Sequence, residues 1–165
     1  MKIYVTKGEG HGQTLMASFD DSLKQAGVYN YNLIRLSSII PPKSQVTIGK
    51  SRPIVKDEYG WRLYSVYADA RTAKPGSWAG AVIAWIQFPD GRGLFTEHED
   101  ISTNGNKLEK DLVIEAKKTI QDLCKLRGFD YADDMVKVVS SISQAKKGVC
   151  ADALVIASYQ ARPWD

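Results

Sequence analysis

Two adjacent serines, Ser37 and Ser38, follow an apolar stretch and precede a proline pair in Asn32-Leu-Ile-Arg-Leu-Ser-Ser-Ile-Ile-Pro-Pro42. A serine hydroxyl beside a strained peptide bond can attack the preceding carbonyl carbon, so a segment of this kind can cut its own backbone. The prolines supply a reason for strain: neither donates to a sheet, and each restricts the residue before it. Upstream, Tyr29 to Leu36 alternates as a strand, with Tyr31, Leu33 and Arg35 on one face and Asn32, Ile34 and Leu36 on the other. A Ser-Ser pair alone more often does no more than satisfy backbone groups at a strand end. Within this segment, processing is the reading we favour.

The serines need a framework to hold them. Apolar alternation predicts strands near Lys2 to Thr6, Tyr29 to Leu36, Gln45 to Ile48, Trp61 to Ala70, Ala79 to Phe88, Gly93 to Glu97, Met135 to Ser143 and Cys150 to Tyr159. Pro89-Asp-Gly-Arg-Gly93 is a turn signal that makes a hairpin of two of them. Helices are predicted from about Thr14 to Ala26, stopped by Gly27, and from about Lys107 to Arg127, stopped by Gly128. The second carries Leu108, Leu112, Ala116, Ile120, Leu123 and Cys124 on one face. Many strands with two amphipathic helices imply an α+β class, with helices covering outer sheet faces.

Composition narrows the function. With 165 residues, 44% hydrophobic and 25% charged, the chain fills one core and is too short for two ordinary domains. Its net charge of +3 comes from 22 basic and 19 acidic residues spread along the sequence, so no nucleic-acid footprint or membrane face stands out. The first residues are too short and too alternating a run for a signal peptide, and no apolar run approaches a membrane span, so a cytoplasmic location is expected. Cys124 and Cys150 have neither metal-ligand spacing nor a disulfide framework and read as reduced packing residues. Asp130, Asp133 and Asp134 read as a solvated acidic loop, and no metal is expected. Gly8-Glu-Gly-His-Gly12 lacks the lysine and serine or threonine of a phosphate loop and reads as a flexible connection. Tyr64, Tyr67, Trp78 and Trp85 suit packing better than base stacking.

Four segments together resemble the pyruvoyl-dependent arginine decarboxylase family. Asn32 to Pro42 is similar to its self-cleavage segment, and Val5 to Thr14 with Phe19 to Gly27 looks like its glycine-rich loop and first helix. Gly93-Leu-Phe-Thr-Glu-His-Glu99 resembles the strand carrying its catalytic glutamate, and Gly148 to Ala157 its small-residue last strand. The serine segment is the specific one. The likeness implies a four-layer αββα sandwich assembled as a homotrimer, cut between Ser37 and Ser38 into chains 1–37 and 38–165. In that scheme Ser38 becomes a covalent pyruvoyl group, which forms an imine with the substrate amine and accepts electrons as carbon dioxide leaves. The resemblance assigns Glu97 as proton donor, Asn32 as an oxyanion-stabilising donor during cleavage, and Asp20 as the carboxylate near the substrate guanidinium.

A donor glutamate must hold a proton near neutral pH, and Glu99, two residues on and on the same strand face, can raise its pKa by repulsion. His98 points to the opposite face. On the residues alone, Glu97 reads as a solvent-facing acid and Asp20 as a first-turn acid on the helix dipole. Tyr29 and Tyr31 fall where the family has small or aliphatic residues near its pocket, so they are expected to line it and either narrow it or add a polar tip. The implied reaction is arginine to agmatine, feeding polyamine synthesis. The alternatives are a decarboxylase for another amino acid, such as histidine or aspartate, and an unprocessed, non-catalytic small-molecule-binding oligomer of the same fold. Nucleic-acid binding ranks below both.

Overall fold

The computed structural model describes residues 1–165, a single α+β domain with two helices and two sheets. The five-stranded sheet has the order β2-β5-β9-β1-β4, with β1 Lys2–Gly12, β2 Asn32–Arg35, β4 Gln45–Ile48, β5 Arg62–Thr72 and β9 Cys150–Arg162. The four-stranded sheet has the order β3-β7-β6-β8, with β3 Ile39–Ile40, β6 Trp78–Gln87, β7 Gly93–Ser102 and β8 Val136–Gln144. Helices α1 (Leu15–Ala26) and α2 (Gly105–Arg127) each pack on one sheet. No helix is long and apolar enough to cross a membrane.

Side-chain alternation distributes the core. Odd-numbered residues of β6 and β9, such as Ile83, Trp85, Val155 and Ala157, join Ile3, Val5, Val66 and Phe95 in the cluster between the two sheets. Even-numbered ones turn the other way: Val82, Ala84 and Ile86 meet α2, while Leu154 and Ile156 meet α1. Both strands are therefore buried on both faces, which is why they read as near-continuous apolar runs. On α2 the buried stripe is Leu108, Leu112, Ala116, Ile120 and Cys124, with Leu123 only partly covered. The ends are set locally. Thr14 Oγ1 accepts from Ala17 N at 3.1 Å and Asn104 Oδ1 from Lys107 N at 3.0 Å, while Gly27 and Gly128 close the helices in the left-handed conformation.

Two local expectations are corrected, and one short strand is added to those the sequence predicts. Gly8-Glu-Gly-His-Gly12 is not a flexible connection but the second half of β1, paired with β9 as far as Gly12 and Cys150. Its glycines make room for α1: an added Cβ would lie 2.2 Å from Ser22 O at Gly8 and 2.0 Å from Ser18 O at Gly10. The strand read over Tyr29 to Leu36 shrinks to Asn32–Arg35 and leaves Tyr31 outside it. Finally, a short β3 follows the serines and joins the other sheet, so the chain changes sheets at Ser37 and Ser38.

Beneath α1, Asp152 is fully buried with Arg71 Nε 3.6 Å away; the same nitrogen lies 2.8 Å from Asp69, and the guanidinium sits 3.8 Å over the Phe19 ring. Burial pushes the Asp152 carboxyl up to about 7.

Candidate active site

The serine pair is suspended between two anchored residues. Leu36 N donates to Ser65 O at 2.9 Å in the five-stranded sheet, and Phe95 N donates to Ser38 O at 2.9 Å in the four-stranded one. Between them, the Ser37 carbonyl and the Ser38 N–H make no hydrogen bond. Ser38 sits at φ 53°, the left-handed region, which a residue with a Cβ occupies at a cost of roughly 1–2 kcal/mol. That cost must be offset by what surrounds it.

Two contacts do so. Ser38 Oγ lies 2.9 Å and 2.8 Å from Glu97 Oε1 and Oε2, and its hydroxyl donates to that carboxylate. Glu97 reaches it from β7, on the inter-sheet side it shares with Phe95, opposite Ile83 of β6. The second contact comes from a residue that sequence reasoning missed. Tyr159, nearly buried at the end of β9, donates its hydroxyl to Ile39 O at 2.9 Å and stacks its ring 6.3 Å from Phe95. Burial, with the Glu97 charge adding to it, raises the Tyr159 pKa, so the phenol stays a donor. The available signal was a tyrosine on a strand face otherwise apolar, whose hydroxyl must find a partner.

The raised carboxyl on this strand face is Glu99. Desolvation is its largest cause; Asp69 and Glu97 push in the same direction, while Arg35 and His98 oppose them. His98 faces α2 instead, with Nε2 3.1 Å from Thr119 Oγ1.

Other expected site residues lie elsewhere. Asn32 opens β2, at the end of the strand away from the serines, and its Nδ2 donates to Gly60 O at 2.6 Å. It therefore supplies no donor to its own chain's Ser37 carbonyl. Tyr31 is taken up by a clasp on the Ser51–Gly60 segment: its hydroxyl donates to Glu58 Oε2 at 2.5 Å and accepts from Arg52 Nη1 at 2.6 Å. Tyr29 is exposed. Asp20 is exposed on α1 and sits mid-helix, since the first turn holds no acid, so the helix-dipole reading fails as well. Neither tyrosine lines the cavity beside Ser37.

A serine held in a strained conformation by a carboxylate, next to a peptide free of hydrogen bonds, suits enzymes that make an electrophile from their own backbone. The chain belongs to the pyruvoyl-dependent arginine decarboxylase family, whose model matches residues 2–162. A pyruvoyl-dependent arginine decarboxylase of Halobacterium salinarum is 34% identical over 158 residues, covering 96% of this chain and 93% of that protein. The like-named protein of Methanocaldococcus jannaschii is 28% identical over 165 residues, covering 96% and 90%. That of Methanothermobacter thermautotrophicus is 25% identical over 155 residues, covering 94% and 95%. Membership makes the protein a carboxy-lyase dependent on a covalent pyruvoyl group.

Proposed function

We propose that this chain cuts itself between Ser37 and Ser38 into chains 1–37 and 38–165, and that the processed enzyme converts arginine to agmatine and carbon dioxide. The observation that carries this reading is the Ser38–Glu97 contact on a left-handed residue beside an unbonded peptide. Ser38 Oγ attacks the Ser37 carbonyl carbon; the C–N bond breaks, the nitrogen takes the proton, and an ester remains. A base then removes the Ser38 Cα proton, the Cβ–O bond breaks, and the Ser37 carboxylate leaves with the electron pair. Water hydrolyses the resulting enamine, ammonia departs, and a ketone is left at residue 38.

The pyruvoyl ketone supplies an electrophile for the substrate amine and an electron sink during loss of carbon dioxide. The residues present fit it. Glu97 touches the Oγ borne by the Cβ that becomes the pyruvoyl methyl, so its carboxyl stands beside the new ketone and can return a proton to the substrate α-carbon. Tyr159 holds the Ile39 carbonyl, and so fixes the amide that follows the new terminus. Phe95 N holds the carbonyl of residue 38 itself.

We assign the family's four-layer αββα arrangement and homotrimer to this protein, with agmatine entering polyamine synthesis in the cytoplasm. Asp20, Tyr29 and Asn32 lie on exposed surface, which suits a substrate role for Asp20 and Tyr29, and the oxyanion role for Asn32, only across an interface between protomers. The test is a pair of variants. Ser38→Ala should remain one chain; Glu97→Gln, whose amide oxygen still accepts from Ser38, should be cut yet release little carbon dioxide from arginine. Full carbon dioxide release by Glu97→Gln would remove Glu97 from the chemistry, and binding of arginine without turnover by the wild type would point to a non-catalytic oligomer.

A further inference from the structure

The cavity beside Ser37 holds a cation that no carboxylate answers. It encloses about 380 Å³, with Leu36, Ser37, Tyr64, Tyr159, Gln160 and Arg162 in its wall. Arg162 forms no ion pair; its Nη2 donates to Gln160 Oε1 at 3.2 Å. Its cross-strand neighbour on β5 is Arg62, a like charge that disfavours the pairing. Arg62 has its own partners in Pro163 O and, at 4.0 Å, Asp165. Arg162 has none.

A bulge aims Arg162 at the cavity. Ser65 pairs with Ser158 and Leu63 with Ala161, so Tyr159 and Gln160 together oppose the single residue Tyr64. Before the bulge, even-numbered β9 residues such as Leu154 and Ile156 face α1; after it, Ala161 packs on that side, beside the same cluster as Leu63. The extra residue thus turns Arg162 to the cavity side, where an unbroken strand would have sent it toward α1.

Processing by the route proposed above creates one new anion at this wall, because the elimination expels the Ser37 carboxylate. We infer that the cavity is the docking site for that carboxylate, with Arg162 as its counter-ion, so that the cut end is drawn away from residue 38 and leaves room for the substrate amine. Strand β9 then anchors both sides of the break: Tyr159 holds Ile39, and Arg162 holds Ser37. This inference rests on the processing reading.

The experiment treats native, processed protein with a carboxypeptidase and follows the mass of the 1–37 fragment, with trimming of an added unstructured peptide as clock. Wild type and Arg162→Lys should keep Ser37. Arg162→Gln should lose it faster, by up to about fivefold, the upper end for an ion pair between exposed residues. Equal trimming of wild type and Arg162→Gln in cut protein overturns the docking site alone, whereas a wild-type chain that is never cut overturns the processing reading and this inference with it.

Discussion

Replacing Tyr159 by phenylalanine should slow self-cleavage without dismantling the fold. The ring and its stacking on Phe95 remain, and only the hydroxyl that donates to Ile39 O at 2.9 Å is lost. Ile39 is itself exposed and the bond only part-buried, so its loss costs about 0.5–1.5 kcal/mol. That is the same order as the roughly 1–2 kcal/mol needed to hold a residue with a Cβ in the left-handed region. Without the Tyr159 bond, Ser38 can therefore relax away from φ 53°. A loss of about 0.5–1.5 kcal/mol in the attack-ready conformer corresponds to a fall of about 2- to 13-fold in its population, and the cleavage rate should fall by that factor. The assay is pulse-labelled synthesis with denaturing mass spectrometry of the fragments over time. Stability is read separately in an uncut Ser38→Ala background, with and without Tyr159→Phe. A wild-type cleavage rate combined with a lowered unfolding temperature would show that the bond supports the fold and not the Ser38 conformation, and would refute the reasoning.

Further outcomes follow from the same geometry. Ser38→Gly and Ser38→Ala should both stay uncut, yet the glycine variant should be about 1 kcal/mol more stable by denaturant unfolding, because glycine occupies positive φ freely. An alanine variant at least as stable would mean that the left-handed conformation is not strained. Asp152, raised by burial from 3.8 to about 7, binds its proton more tightly folded than unfolded. Its contribution is therefore fully present below about pH 4 and is lost as pH rises to about 7; Asp152→Asn should flatten this part of the stability curve, and an unchanged slope would count against the buried-acid account. Gly10→Ala should destabilise by about 1–3 kcal/mol or more, since its Cβ would lie 2.0 Å from Ser18 O; a neutral thermal shift would contradict the close α1 contact.

The chemistry was more legible in the sequence than the geometry was. Ser37 and Ser38 were found because residue type and local spacing carry them, whereas Glu97 came only from the family resemblance, since on the residues alone it reads as a solvent-facing acid; Ser38 and Glu97 do meet, 59 residues apart in sequence. The helices were also readable to within two residues at their starts, because Thr14, Gly27 and Gly128 mark their ends locally. What spacing could not reveal were features set by tertiary contact. The glycines of β1 look like a loop until α1 lies against them. Asn32 and Ser38 are close in sequence yet separated by an extended strand, and Tyr31 is claimed by Arg52 and Glu58, which lie further along the chain. Arg162 reaches the cavity beside Ser37 through a register shift between β5 and β9, and no pattern within β9 announces it.

The most direct measurement is the intact mass of freshly purified protein under denaturing conditions. Two species are expected, residues 1–37 ending in a carboxylate and residues 38–165 lighter by one ammonia than simple hydrolysis would leave. A single species of 165 residues, or a larger fragment that still begins with an unmodified serine, would contradict a cofactor made from Ser38.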